Sequence, residues 1–228
     1  MKSIEKYAYH KDYEPVYKLT KSQKRYFIIK RAIDFVGAIL LFIPAAIIMG
    51  ISSLWIKIES TGPVIYKQSR TGYRERVFTI YKLRSMRTEL YGEDGHALSD
   101  QERLTKSGNF VRKTSIDELP QLINIIKGEM SFIGPRPFLI NDLDTYNEEQ
   151  LIRFEVLPGM TSWTSIHGRA NQSIESKYNH EIYYVKNFSF RLDMEILFKT
   201  IALVFSQKDV EDHVTEGRIA ANIIEDDK

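Results

Sequence analysis

Residues 35–56 read FVGAILLFIPAAIIMGISSLWI, an uncharged run bounded by Asp34 and Lys57, with Pro44 near its middle. As a straight helix these 22 residues span about 33 Å, enough for a hydrocarbon core of about 30 Å. The rest of the chain is polar and carries close-set acidic and basic motifs. Two readings stand at this point: a membrane-attached enzyme, or a soluble domain with one buried helix.

The flanks refine the first reading. Lys24, Arg25, Lys30 and Arg31 precede the run, and Lys57, Lys67, Arg70, Arg74 and Arg76 follow it. Positive charge favours the cytoplasmic side, and a single crossing usually shows asymmetry. Here both ends are basic. Proline lacks an N–H and clashes with the preceding turn, so Pro44 can bend the helix sharply. A helix that enters, bends and leaves on one side fits both observations. So does a kinked spanning helix, and the residues alone leave the two open. A cleaved signal peptide is not expected: the run starts too deep, is too long and lacks a small-residue cleavage pattern after it.

The 228 residues suit one domain plus an anchor. With 32 Lys+Arg against 30 Asp+Glu the net charge is +2, which argues against a dedicated nucleic-acid binder. The balance hides polarity. Residues 1–31 hold nine Lys/Arg and three Asp/Glu, whereas residues 208–228 hold three and seven. A basic arm with Tyr7, Tyr9, Tyr13, Tyr17 and Tyr26 suits an anionic lipid surface, although an ordinary solvated extension has the same composition. The chain has no cysteine, which excludes disulfides, thiolate catalysis and cysteine-ligated metals.

Periodicity places a helix from about Ser22 to Lys57. Short strands follow at Val64–Tyr66 and Val77–Tyr81, separated by a basic turn at Arg70–Arg74. Residues 88–110 read as a loop with partial helix. Residues 112–128, RKTSIDELPQLINIIKG, carry Leu119, Leu122, Ile123 and Ile126 at helical spacing. Ser115 followed by Glu118 matches a capping box, with Asp117 as an alternative cap and Gly128 as the stop. Ser131–Pro137 is a rigid turn holding Arg136 between two prolines. Further helices are expected at Asn141–Phe154, Ile174–Val185 and Leu192–Val204. The apolar stripe of the last suits either a membrane interface or packed core.

Asp117-Glu118 is the strongest acidic candidate. Adjacent carboxylates diverge on a helix, so they suit two jobs: one attacks or takes a proton, the other holds a divalent cation through hard oxygens. Plain helix capping explains the same residues. The basic set is Lys82, Arg84, Arg87, Arg112, Lys113, Arg136 and Arg169. Guanidinium groups match phosphate oxygens, and Arg136 between prolines loses little entropy on binding. Each is also explicable as a solvated surface charge. His10, His96, His167, His180 and His213 show no metal-ligand spacing, and no Walker, GxGxxG or GxSxG motif is present.

Taken in order, these residues resemble the bacterial sugar transferase family, the monotopic polyprenyl-phosphate phosphoglycosyl transferases. The resemblance runs through Lys30-Arg31 and Asp34, Gly62-Pro63-Val64 to Gln68, Arg70 and Gly72. It continues through Phe78, Lys82, Arg84, Ser85 and Met86, then Arg112-Lys113-Thr114-Ser115 with Asp117-Glu118-Leu119-Pro120-Gln121, Asn124, Gly128 and Met130-Ser131. Gly134-Pro135-Arg136-Pro137, Pro158-Gly159, Gly168-Arg169, Tyr184-Val185 and Asp193 complete it. It covers about residues 24–205.

The resemblance implies an α+β, membrane-monotopic protein. Its parts would be a basic and aromatic arm (1–23), a re-entrant helix broken at Pro44 (24–58), a compact cytosolic catalytic domain with amphipathic interfacial helices (59–207) and an acidic tail (208–228). It implies transfer of a sugar 1-phosphate from a UDP-sugar to undecaprenyl phosphate with release of UMP. Asp117 would be the nucleophile, forming a covalent phosphosugar, and Glu118 would help coordinate Mg2+. Lys82, Arg84, Arg112, Arg136 and Arg169 would bind phosphates or nucleotide. Membrane lipids and a second copy of the chain, as a homodimer, are the other expected partners. The expected location is the cytoplasmic face of the bacterial inner membrane, in surface-glycan assembly. A catalytically inactive scaffold or a lipid-phosphate binding protein of the same fold is the alternative. Ser162 in place of a common glycine, Ser165 in place of glutamine and Glu181 in place of aspartate leave the sugar open.

Overall fold

The structure is a computed structural model that describes residues 13–92, 94–139, 146–168 and 172–206. Most of the basic arm, the acidic tail and Arg169 lie outside the described residues.

Helix α1 spans Lys21–Glu59. Thr20 caps it: its side chain accepts the Gln23 N–H while the Gln23 side chain accepts the Thr20 N–H. Pro44 lies inside the helix and does not interrupt it, so the expected break is not present as a gap. Proline removes one backbone donor, and the turns on either side keep theirs.

One stripe of α1 is buried: Gln23, Lys30, Asp34, Ala38, Ala45, Ser52 and Ile56. The small residues let the domain approach closely. The other faces expose Ile28, Ile33, Val36, Leu40, Ile43, Ile47, Ile51, Leu54 and Ile58. Only 17% of the most apolar window is buried, whereas the core helix of a soluble domain is mostly buried.

Both ends of α1 are fastened to the same domain. At the start, Arg31 donates to the carbonyls of Ile125 (2.7 Å) and Ile126 (3.2 Å). Lys30 pairs with Asp193 at 2.8 Å, and Tyr26 donates to the same carboxylate at 2.6 Å. At the far end, Glu59 accepts the Lys106 and Ser107 N–H groups at 2.6 and 2.7 Å, and the Trp55 and Phe110 rings lie 5.5 Å apart.

Beyond α1, strands β1 (Ile65–Thr71) and β2 (Val77–Leu83) form an antiparallel hairpin. Both are longer than the sequence pattern suggested, because Arg70 and Lys82 carry on the pairing at the strand ends. Helices α2 (Asp100–Arg103) and α3 (Lys106–Lys113) follow. Then come a 3-10 turn over Ile116–Gln121 and helix α4 (Leu122–Lys127). The helix expected between a cap at Ser115 or Asp117 and the stop at Gly128 is therefore divided, although it does end at Gly128. Ser115 takes a left-handed φ of 55° and its side chain makes no cap bond, so the capping box does not form. Pro120, without an N–H, keeps the next turn tight.

Strands β3 (Ser131–Ile133), β4 (Phe138–Leu139) and β5 (Gly159–Thr161) were not expected. They are two or three residues long, too short for a period to register. β4 pairs with β1, giving the order β2-β1-β4, and β3 pairs in parallel with β5. Of the helix expected over Asn141–Phe154, residues 141–145 lie outside the described residues, and the rest is a single turn α5 (Glu148–Leu151) followed by a 3-10 turn over Ile152–Glu155. That 3-10 turn is buried throughout rather than polar-faced.

Helices α6 (Ile174–Lys186) and α7 (Phe190–Ser206) close the domain. The apolar stripe of α7 is divided between core and surface. Leu192 and Ile196 enter the core, while Phe190, Phe198, Ile201 and Val204 are exposed. In the arm, Tyr13 donates to Glu155 at 2.9 Å, and Tyr17 and Leu19 pack on the core, so this part is docked protein surface.

Candidate active site

The site starts from one backbone contact. The end of β2 runs against α3 where Gly108 faces the Ser85 carbonyl; a Cβ on Gly108 would fall 1.8 Å from that oxygen. Only glycine permits this approach. It lets Thr105 N–H bond the Ser85 carbonyl and the Arg112 Nε donate to Ser85 Oγ at 2.8 Å. The sequence reading treated Gly108 as a loop marker. Its role appears only in the packing.

From α3 the chain turns through Ser115 and sets Asp117 and Glu118 on the 3-10 turn beside β2. Lys82 Nζ reaches Glu118 Oε1 at 2.9 Å, with both side chains partly buried. Asn124 fixes this packing. It is fully buried, its Nδ2 donates to the Thr79 carbonyl and to Glu129 at 2.7 Å, and it accepts the Tyr81 N–H. Arg31 on α1 holds the last carbonyls of α4, so α1 supports the same turn.

The electrostatics separate the two carboxylates. Burial, then the Glu118 charge, push Asp117 up to about 6, while Lys82 and Arg112 pull it down. Asp117 is thus ionised at neutral pH in a partly desolvated place, as an oxygen nucleophile requires. Glu118 is held by an ammonium and supplies hard oxygens. Two carboxylates with substrate phosphates suit Mg2+, which takes one or two protein carboxylates and fills its shell with phosphate and water. Among the described residues no group of three or more His, Asp or Glu could hold a metal by itself.

Lys82, Arg112, Asp117 and Glu118 are therefore brought together as expected. Arg84 is not. It is buried, and its guanidinium donates to the Ser60 carbonyl (2.8 Å), Ser60 Oγ (2.9 Å) and the Thr61 carbonyl, closing the turn that leaves α1. The guanidinium is engaged by this turn: β2 ends at Leu83, so the alternation that puts residues i and i+2 on one face of a strand stops before Arg84, while Lys82 meets Glu118.

Arg136 stands elsewhere. Its loop leads into β4, where Phe138 pairs with Thr71, whereas Lys82 pairs with Tyr66. These two points on β1 are about 17 Å apart at the usual rise per residue. The Arg136 loop therefore meets β1 at the end opposite to Lys82. The loop is backed by the Pro158-Gly159 turn: Gly134 and Gly159 meet so closely that a Cβ on Gly159 would lie 2.1 Å from the Gly134 nitrogen.

The bacterial sugar transferase profile matches residues 25–207, most of the chain. The "Uncharacterized sugar transferase EpsL" of Bacillus subtilis is 41% identical over 197 residues, covering 86% of this chain and 97% of that protein. The "UDP-N-acetylgalactosamine-undecaprenyl-phosphate N-acetylgalactosaminephosphotransferase" of Aeromonas hydrophila is 39% identical over 79% of this chain. The "UDP-glucose:undecaprenyl-phosphate glucose-1-phosphate transferase" of Escherichia coli is 34% identical, also over 79%. The chain spans less than half the length of these two, 44% and 41%. The chain belongs to the bacterial sugar transferase family.

Proposed function

We propose that this chain is a polyprenyl-phosphate phosphoglycosyl transferase. It moves a sugar 1-phosphate from a UDP-sugar to undecaprenyl phosphate at the cytoplasmic face of a bacterial inner membrane. The observation that carries the reading is the partly buried Asp117-Glu118 pair between Lys82 and Arg112, with Asp117 titrating near 6. The printed activities of the Aeromonas and Escherichia relatives agree with it.

An Asp117 carboxylate oxygen attacks the phosphorus that carries the sugar. The bond from that phosphorus to the bridging oxygen breaks, UMP leaves with the electron pair, and an aspartyl phosphosugar remains. An oxygen of the lipid phosphate then attacks the same phosphorus and releases Asp117. Lys82 and Arg112 stabilise the charge that develops on the equatorial oxygens. Mg2+, held by Glu118 and the donor's phosphates, would supply charge neutralisation. Lys82 Nζ pairs with Glu118 Oε1, so the residue that would hold the cation is itself held by an ammonium.

α1 supports a monotopic arrangement. Its exposed residues are apolar from Ala32 to Trp55, while both ends grip one domain. A helix fastened at both ends to one compact body supports both flanks lying on one side. The exposed face of α7 extends the same surface.

The test is UMP release across a panel of UDP-sugars with undecaprenyl phosphate and Mg2+. Donor alone should add one sugar phosphate to the intact protein, mapping to Asp117, and D117N should form none. An adduct on Glu118, or normal UMP release by D117N, overturns the assignment.

A further inference from the structure

The Pro135-Arg136-Pro137 segment has four backbone polar groups, because its two prolines carry no N–H. All four are held. The Pro135 carbonyl accepts the Gly159 N–H at 2.9 Å. The Pro137 carbonyl accepts Arg70 Nη1 at 3.3 Å. The remaining two belong to Arg136 itself. Its N–H donates to Glu181 Oε1 at 3.2 Å, and its carbonyl accepts from Arg153 Nη2.

Glu181 and Arg153 are also an ion pair, at 2.5 Å, with both side chains 2% exposed. The Arg153 guanidinium lies 3.8 Å over the Phe138 ring. Burying two charges costs more solvation than their attraction commonly returns, and apolar residues of the same volume often stabilise a fold as well or better. Stability alone is a weak reason for this pair. Its geometry supplies another: one charge grips each backbone group of a single residue. That residue is partly exposed between two buried prolines.

We propose that Arg153 and Glu181 are positioning residues that fix the Arg136 backbone so that its guanidinium meets a substrate phosphate in one place. The proposal rests on the phosphoglycosyl transferase reading for the identity of that phosphate. It places the pair outside the reacting atoms: they act through Arg136. The phosphate belongs either to the nucleotide donor or to the polyprenyl acceptor.

The experiment compares wild type, R136A and the double variant R153M/E181L in lipid nanodiscs. Five quantities are read: thermal midpoint, exchange of the Arg136 amide, kcat and the two substrate KM values. The expected result is a double variant that melts near the wild type, exchanges the Arg136 amide at least tenfold faster, and loses about a hundredfold in kcat/KM, as misplacement by an ångström can cost. The KM that moves should be the one moved by R136A. A change in the UDP-sugar KM assigns the nucleotide phosphate, and a change in the undecaprenyl phosphate KM assigns the lipid phosphate.

A double variant with wild-type exchange and wild-type kinetics overturns the proposal, and so does R136A with both KM values and kcat unchanged. Where R153M/E181L fails to fold, R153K decides. A lysine keeps the pairing charge but cannot lie flat on Phe138 while reaching both oxygens. A tenfold loss of kcat/KM with faster Arg136 exchange supports positioning, and wild-type values for both overturn it. If the wild type itself releases no UMP, the proposed function fails, and the Arg136 exchange alone then judges the clamp.

Discussion

Asp193 is the residue on which the junction between α1 and the domain depends. It is 1% exposed, and its carboxylate accepts Tyr26 Oη at 2.6 Å, Tyr184 Oη at 2.7 Å and Lys30 Nζ at 2.8 Å. Lys30 is itself 8% exposed, and its other carboxylate, Asp34, is 3.7 Å away. D193N keeps the volume and removes the charge, so a buried ammonium loses its near partner. Breaking a buried pair from one side costs about 3–5 kcal/mol, a large part of a total stability of about 5–15 kcal/mol. For a domain of this size that lowers the melting midpoint by roughly 10 °C. The assay is denaturation in nanodiscs followed by fluorescence of Trp163, which stacks on Tyr183 of α6 at 5.3 Å. The companion K30M/D34N/D193L removes the three buried charges together and should recover part of the loss. A D193N penalty below about 1 kcal/mol, or a triple variant as unstable as the single, would refute the argument that this carboxylate compensates Lys30.

Adduct formation from donor alone should fall as pH drops through about 6, where Asp117 takes up a proton and loses its nucleophilic oxygen. K82M removes a cation that lowers Asp117, so it should move that limb to higher pH; a limb left in place would mean Lys82 does not act on Asp117. G159A should destabilise the protein by about 1–3 kcal/mol or more, because its methyl collides with backbone at Gly134 and Thr161. G50A, with nothing within 4 Å, is the tolerated control in the same melting assay. R84M should lower the melting midpoint and leave the donor KM near wild type, since Arg84 closes the turn after α1; a KM change with an unchanged midpoint would return it to the phosphate site.

The elements legible in the sequence were those with a long period or a strong local signal. α1 follows from an uninterrupted apolar run, α6 and α7 from helical spacing, and the β1–β2 hairpin from β-branched and aromatic residues either side of Gly72. The acidic pair and Lys82 were legible because charged residues in a short span must meet something. What failed is equally specific. Ser115 and Glu118 match a capping box, but the Ser115 backbone is left-handed and the box cannot close. β3, β4 and β5 exist because distant segments pair, and no local pattern of two or three residues announces that. Arg153 and Glu181 sit in segments that read as ordinary polar helix.

The sequence by itself determined the long apolar helix, the family and the adjacent carboxylates Asp117 and Glu118, because each is carried by residues near one another along the chain. Only the tertiary structure decided which charges serve chemistry and which serve the fold. Lys82 and Arg84 are two residues apart, yet one meets Glu118 and the other holds the turn after α1. Arg31, Arg153 and Asp193 look like surface charges until α1, α6 and α7 close over them. The physical reason is desolvation: a charge acquires its role from what is buried against it, and burial is set by contacts across 94, 17 or 163 positions of chain that no short window contains.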